Sequence, residues 1–178
     1  MSIKDDYNKT IKLKIMKELA IKNPMAVPKV IKIVINVGAG EAAINKNVLE
    51  KIQEQISLIA GQKPIITKAR KSVSAFKIRK GLPIGVKLTL RGKKMFAFLE
   101  KLIRIIIPRL KDFHGIAEQN IDAAGNLNLG FPEQTIFPEI DFDKIDKIRG
   151  LQITIVTNAR NKNKGKKLFE ALGIPFKK

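Results

Sequence analysis

The chain has no cysteine and no tryptophan, and only one tyrosine and one histidine among 178 residues. Without cysteine there is no disulfide, no thiolate nucleophile and no thiolate metal site. A single histidine, His114, cannot build a multi-histidine metal centre, and no nucleophile stands beside it in the sequence. Long apolar runs are missing too. The richest stretch, "MFAFLEKLIRIII", is cut by Glu100, Lys101 and Arg104, so nothing reads as membrane-spanning. The opening "MSIKDDYNKT" lacks the apolar core of a signal peptide. These absences lead to the expectation of a cytoplasmic protein with no membrane partner. The most informative scarcity is regional: residues 55–99 contain no aspartate or glutamate at all.

What is there is positive charge on a folded chain. Hydrophobic residues make up 44%, too many for a disordered basic tail. Lys and Arg number 35 against 16 acids, a net charge of +19. A field of that size draws polyanions, which points to nucleic acid. The charge is also segregated. The acid-free stretch includes "TKARKSVSAFKIRKG", residues 67–81. Residues 112–146 hold most of the acid of the C-terminal half, opposed by Lys144 alone, and from 147 onward Glu170 is the sole acid among many cations. A solvated surface mixes its signs; segregation on this scale favours a surface for phosphate.

Periodicity supplies the scaffold. Residues 5–21 place Ile11, Ile15 and Leu19 four apart, the spacing of an amphipathic helix. "KVIKIVINVG" alternates, with Ile31, Ile33, Ile35 and Val37 on one face of a strand. A second helical stripe runs through Ile44, Val48, Ile52, Ile56 and Ile59, with Gly61 placed to end it. "PIITK" is a short strand; "IGVKLTLRG" alternates again through Val86, Leu88 and Leu90. "KKMFAFLEKLIRIII" predicts a helix stopped by Pro108, and "AAGNLNLG" a turn at Gly125-Asn126. "LQITIVTN" is a strand through Leu151, Ile153 and Ile155. The last helix, "NKGKKLFEAL", ends at Gly173 and Pro175. The sum is an α+β fold in two layers. Helices pack on one face of a mostly antiparallel sheet, and a long basic loop, residues 70–81, joins the second and third strands. No linker or repeat divides the chain, so a single domain over 1–178 is expected, with 112–146 an acidic irregular region. The other faces of the three best strands carry Lys32 and Asn36, then Lys87, Thr89 and Arg91, then Gln152, Thr154 and Asn158: hydrogen-bonding groups and cations that suit a sugar–phosphate surface.

Three stretches invite a catalytic or cofactor reading and fail it. "INVGAGEAA" carries Gly38, Gly40 and Ala43 in a relaxed dinucleotide spacing, but no acid follows at the end of the next strand to hold a ribose. It reads better as a turn whose bare backbone lets a phosphate approach closely. "EIDFDKID", residues 139–146, would need an oxygen ligand at Ile145, glycine at Asp146 and glutamate at Gln152 to bind calcium. It reads as an acidic loop that meets a basic partner or solvates the protein. Ser72 and Ser74 lie among cations without a base. No metal, cofactor or catalytic set emerges. The scarce aromatics lack the paired arrangement of a single-strand-binding sheet, so recognition by shape and backbone is favoured.

The blocks "INVGAGEA", "GQKPIITKARKSVSAFKIRKGLPIGVKLTLRG" and "FPEIDFDKIDKIRGLQITIVT" resemble those of bacterial large-subunit ribosomal protein five, the family that binds 5S ribosomal RNA. The resemblance extends from the N-terminal helix to "GIPFKK" and is least distinctive in the first twenty residues and in "NARNKNKGKK". It implies a non-catalytic constituent of the central protuberance. Its partners would be 5S rRNA, large-subunit rRNA, neighbouring 5S-associated proteins, the peptidyl-site (P-site) transfer RNA and a basic small-subunit head protein across an intersubunit bridge. Carried over by position, 5S contact falls on Asn36, Gly38, Gly40, Gln62, Lys63, Lys68, Thr89 and Arg91, joined by Lys87 on the polar strand face. The transfer-RNA loop takes Arg70, Lys71, Ser72, Ser74, Phe76, Lys77, Arg79 and Lys80. The bridge takes Asp112, His114, Asp141, Asp143 and Asp146. Mutual repulsion is expected to keep the loop extended and mobile in the free protein. Phe76 is expected to pack back on the loop stem, with a nucleotide as its alternative neighbour. A free RNA chaperone or nucleic-acid-binding regulator on the same basic sheet stands as the alternative function.

Overall fold

The structure, a computed structural model, describes residues 3–43, 45, 47–110, 113–141 and 145–177. The chain begins with α1 (Ile3–Asp6), a π-helical turn at Tyr7–Ile11 and α2 (Lys12–Glu18) in one helical run. Next come β1 (Val30–Gly38), α3 (Asn47–Ala60), β2 (Ile65–Lys68), β3 (Pro83–Leu90) and α4 (Gly92–Lys101). A second π-turn, Leu102–Ile106, leads into α5 (Ile107–Arg109); β4 (Leu127–Phe131), β5 (Leu151–Thr157) and α6 (Lys162–Ala171) complete the order. The five strands form one sheet in the order β2-β3-β1-β5-β4, and helices pack on its apolar face, the expected α+β arrangement. β2, the strand after α3, pairs with β3 and not with β1, so the glycine turn after β1 does not open a parallel βαβ unit.

The strands form where apolar residues alternate. Ile33, Ile35 and Val37 of β1 are buried, as are Val86, Leu88 and Leu90 of β3 and Leu151, Ile153 and Ile155 of β5. One phase slips: Val30 is buried and Ile31 is 41% exposed, so the alternation expected from Ile31 onward starts only at Ile33. In α3 the stripe Val48, Ile52, Ile56 and Ile59 is buried with Leu49 beside it, and Gly61, at φ +64, ends the helix; Ile44, counted in the stripe, lies outside the described residues.

The chain divides into two compact units: Met1–Ile33, Leu90–Leu129 and Thr154–Lys178 in the first, Val34–Thr89 and Gly130–Ile153 in the second. In the first, α1 packs on α4 and α2 on α6. Ile15 is fully buried, and the N-terminal helix ends at Glu18, before the expected Ile21. Ala20 takes a left-handed φ of +50 there, and the Ile21 amide reaches back to the Met16 carbonyl at 3.0 Å, a cap usually given to glycine. The helix expected to stop at Pro108 runs to Arg109, because proline fits the first turn of α5 after the π-turn has shifted the bonding register. The Gly125 turn is locked by Asp122, whose two carboxylate oxygens accept from the Asn126 backbone and side-chain amides at 2.8 Å each. A Cβ on Gly165 would come within 2.6 Å of the Gly125 carbonyl oxygen, so the start of α6 lies directly on that turn.

In the second unit β2 and β3 run antiparallel, with Ile65 opposite Lys87 and Thr67 opposite Gly85. Gly85 is where strands crowd: a Cβ there would lie 2.8 Å from the Val37 carbonyl oxygen and 3.0 Å from Thr67 Oγ1.

Candidate RNA-binding surface

β1 delivers the chain to an exposed glycine turn. The Ala39 amide donates to the Ile84 carbonyl at 2.9 Å, and Ala39 and Ala42 are buried, which fixes the turn on its inner side. Gly38 and Gly40 face outward. Neither has a left-handed φ, and a Cβ on either would meet nothing within 4 Å. The fold alone does not ask for glycine at these two positions; a body pressed against the outside would.

Next in the turn, Glu41 holds it in place. Its carboxylate accepts from Arg149 Nε and Lys147 Nζ at 2.8 and 2.9 Å. Arg149, with its side chain 8% exposed, also donates from Nη1 to Asp146 at 2.8 Å, and Lys51 of α3 stands 3.7 Å from Asp146. The Gln134 side chain secures this segment from behind: its amide donates to the Lys147 carbonyl at 2.8 Å and its oxygen accepts from the Arg149 backbone. The hydrogen bond from Arg149 holds the Asp146 carboxyl down at about 2. Lys147, then Arg149, hold Glu41 below the usual carboxylate range. The guanidinium is raised in turn, first by Asp146.

Beside this turn, Asn36 and Lys87 are exposed on the polar strand faces, Thr89 is half-buried, and Ile65 is 73% exposed opposite Lys87. The Gln62 side chain donates to the Thr89 carbonyl at 3.2 Å, fastening the loop after α3 to β3. Lys68 is exposed. Lys63 is exposed as well but borders a shallow cleft whose other lining residues, Glu50, Gln53, Glu54 and Ser57, include two carboxylates. Arg91 lies in the other unit, exposed, as the residue that leads into α4.

The loop between β2 and β3 is not the extended segment that its charge suggests. The Val73 and Ile78 backbones exchange hydrogen bonds of 2.8 and 3.1 Å, a 3₁₀ turn spans Ser74–Phe76, and Lys77 reverses the chain at φ +54. The Ser72 hydroxyl accepts from the Lys80 amide at 3.0 Å, and Ala69 bonds to Leu82 and Gly81 at the base. Two like charges 4 Å apart in water repel by only about 1 kcal/mol, so a few backbone bonds of similar net worth suffice to close a hairpin. Arg70, Lys71, Ser74, Lys77, Arg79 and Lys80 are exposed, and among the described residues none of these cations makes a salt bridge. Phe76 does not pack back on the stem: it is 74% exposed at the tip, because the reversal at Lys77 turns it away.

The bridge residues separate. Asp141 and His114 are exposed, the first in one unit and the second in the other. Asp146, expected to face a basic partner, spends its carboxylate inside the protein on Arg149 and Lys51. Asp112 and Asp143 lie outside the described residues. Sequence reasoning missed Glu41, Gln134 and Arg149. The Glu41–Arg149 pair spans 108 positions, and no local pattern marks it.

Comparison with known proteins decides the family. Residues 23–79 match the family described as ribosomal protein L5, and residues 83–176 match the C-terminal part of the same ribosomal family. The chain belongs to the ribosomal protein L5 family. It is 52% identical over 177 residues to the large ribosomal subunit protein uL5 of Synechococcus sp. (strain RCC307), covering 99% of both chains. It is equally 52% identical over 178 residues to uL5 of Campylobacter jejuni subsp. doylei, covering 100% of this chain and 98% of that one. The two family segments meet at the basic loop and β3, so the cationic hairpin closes the first and the crowded Gly85 lies at the start of the second.

Proposed function

We infer that this chain is a structural, non-catalytic constituent of the large ribosomal subunit, and that the glycine turn and polar strand face of its second unit hold 5S rRNA. The observation that carries the reading is the pairing of two exposed glycines which the fold leaves unexplained with the exposed cations Lys68 and Lys87 of the acid-free stretch 55–99. The bare backbone at Gly38 and Gly40 admits a phosphate–sugar edge, Asn36 and Thr89 offer hydrogen bonds, and Lys68 and Lys87 supply charge. Glu41, Arg149 and Asp146 support the turn from the protein side. A titration of 5S rRNA by filter binding tests this. If about five phosphates are neutralised, log affinity falls against log salt with a slope between about −3.5 and −4.5. A slope near zero overturns the reading.

The finer assignments follow the family resemblance. The hairpin 70–81, whose cations find no salt-bridge partner among the described residues, reaches the P-site transfer RNA. Asp112, His114, Asp141 and Asp143 remain assigned by that resemblance to contact with a basic small-subunit head protein. Asp146 is reassigned to support of the glycine turn. Replacing residues 72–80 by a short Gly-Ser linker leaves 5S affinity within a few-fold and weakens P-site transfer-RNA retention. Loss of 5S binding by a folded variant makes the hairpin a 5S element instead.

A further inference from the structure

We propose that Glu41, the acid of the glycine turn, strengthens RNA binding instead of opposing it: it is a positioning residue that presents the bare backbone of Gly38 and Gly40, and Arg149 and Gln134 act through it. The proposal rests on the reading that this turn holds 5S rRNA and adds no new RNA contact.

Simple electrostatics would keep an acid away from this place. Glu41 directly follows Gly40 and is the only acid between Glu18 and Glu50. A carboxylate beside an approaching phosphate is repulsive. The fold nevertheless brings two cations to it: Lys147 Nζ and Arg149 Nε donate to its two oxygens at 2.9 and 2.8 Å. One buried side chain arranges both. Gln134, 3% exposed, donates to the Lys147 carbonyl at 2.8 Å and accepts from the Arg149 amide, so the backbones of both cations are fixed to the same group. The far edge of the guanidinium is held by the two oxygens of Asp146, 2.8 Å from Nη1 and 3.2 Å from Nη2.

Stability alone does not ask for this arrangement. A guanidinium taken out of water loses hydration that its partners only roughly offset, and a well-packed apolar cluster of similar volume is often as stable or more so. Directed bonds supply something that apolar packing does not, a fixed orientation. The glycine turn needs one. Glycine has the widest backbone freedom of any residue, and a turn that had to be ordered on RNA would bind more weakly. The chain is pinned on both sides of Gly40. Before it, the Ala39 amide donates to the Ile84 carbonyl at 2.9 Å; after it, the Glu41 carboxylate is clamped and the Glu41 carbonyl accepts from the Asn45 amide at 3.1 Å. From Gly38 to Ala43, Glu41 is the only side chain larger than a methyl group, hence the only one by which directed bonds can hold the turn.

The experiment titrates 5S rRNA onto the full chain by filter binding at several salt concentrations. Glu41→Ala removes a negative charge and releases Lys147, so charge alone predicts tighter binding. The expected result is the opposite, an affinity lower by about fivefold or more. Arg149→Lys keeps the charge but loses the fork that spans Glu41 and Asp146. Its affinity should fall as well, with an unchanged salt slope, because no phosphate contact is lost; Lys87→Gln, by contrast, should make the slope shallower by about 0.7–0.9. Glu41→Ala and Gly38→Ala should be non-additive, since both act through one turn. Ile56→Val, a core change in the same unit, lowers the urea midpoint and should leave 5S affinity within about twofold. Equal or tighter binding by Glu41→Ala overturns the proposal. So does a shallower slope in Arg149→Lys, which makes Arg149 an RNA contact, and so does an equal loss in Ile56→Val, which reduces the network to stability. Should Glu41→Ala fail to fold, Arg149→Lys decides alone. If Gly38→Ala and Lys87→Gln leave 5S affinity unchanged, the 5S reading of the turn falls and the proposal with it; if they weaken binding and Glu41→Ala does not, only the proposal falls.

Discussion

Arg149→Met separates the protein's internal charge chemistry from the charge it offers to RNA. Methionine keeps most of the aliphatic volume, so the change removes three charge-assisted hydrogen bonds, one to Glu41 and two to Asp146, more than it opens a cavity. The magnitude follows from the partners. Asp146 is held at about 2 against an ordinary 3.8. At 1.36 kcal/mol per unit that shift caps its contribution at about 2.4 kcal/mol. The carboxylate is 29% exposed and keeps Lys51 after the substitution, so about 1 kcal/mol is lost there. The bond to Glu41, which retains Lys147, adds about 0.5–1 kcal/mol. Arg149→Met should therefore lower stability by about 1.5–2 kcal/mol in urea denaturation at pH 7. The pH dependence has a definite sign. Because folding lowers the Asp146 pKa, the pair stabilises fully above the ordinary carboxylate value and is lost as pH falls from about 4 towards 2. The gap between wild type and variant must close over that window. A gap below about 0.5 kcal/mol at pH 7, or one that stays constant down to about pH 2.5, refutes the reasoning.

Gly38→Ala should leave stability unchanged or slightly raised, since the added methyl meets open space, yet weaken 5S rRNA in filter binding several-fold. Gly85→Ala, whose Cβ would sit 2.8 Å from the Val37 carbonyl oxygen, should cost about 1–3 kcal/mol in urea denaturation. Phe76→Ala should not move the unfolding midpoint, because the ring is 74% exposed; ribosomes carrying it should retain P-site transfer RNA less well in a filter assay. Asp141→Asn should leave 5S affinity equal or higher and weaken subunit association, measured by sedimentation, most visibly at low salt.

The sheet was legible because its signal is local. Leu151, Ile153 and Ile155 alternate over a few residues, and burial of one face forces that register. Helix ends marked by glycine were equally legible: Gly61 and Gly173 both take left-handed φ. Where another residue does glycine's work the signal vanishes. Ala20 ends the first helix and Lys77 turns the basic hairpin, and neither residue type announces a left-handed backbone. The hairpin itself was hidden by charge, which dominates the composition of residues 67–81 but weighs little against backbone bonds once solvated. The Glu41–Arg149–Asp146 network was hidden by distance along the chain, since a salt bridge across 108 residues leaves no periodic trace.

The same two residue types, glycine and cation, serve fold and function in this molecule, and the surroundings of each one tell which. Gly85, Gly125 and Gly165 sit where a Cβ would collide with backbone, and Gly61 and Gly173 sit where φ is positive, so the fold accounts for all five. Gly38 and Gly40 satisfy neither condition and lie at the end of the strand that pairs with β3, part of the acid-free stretch 55–99. Cations divide in parallel. Arg149 is buried between two carboxylates and belongs to the architecture. Lys71, Lys77, Arg79 and Lys80 are exposed without a salt bridge among the described residues, and their counterions must come from outside. Composition counts all of these residues alike. What distinguishes them is whether the protein already supplies the neighbour that each requires, and the positions where it does not are where RNA is expected to complete the structure.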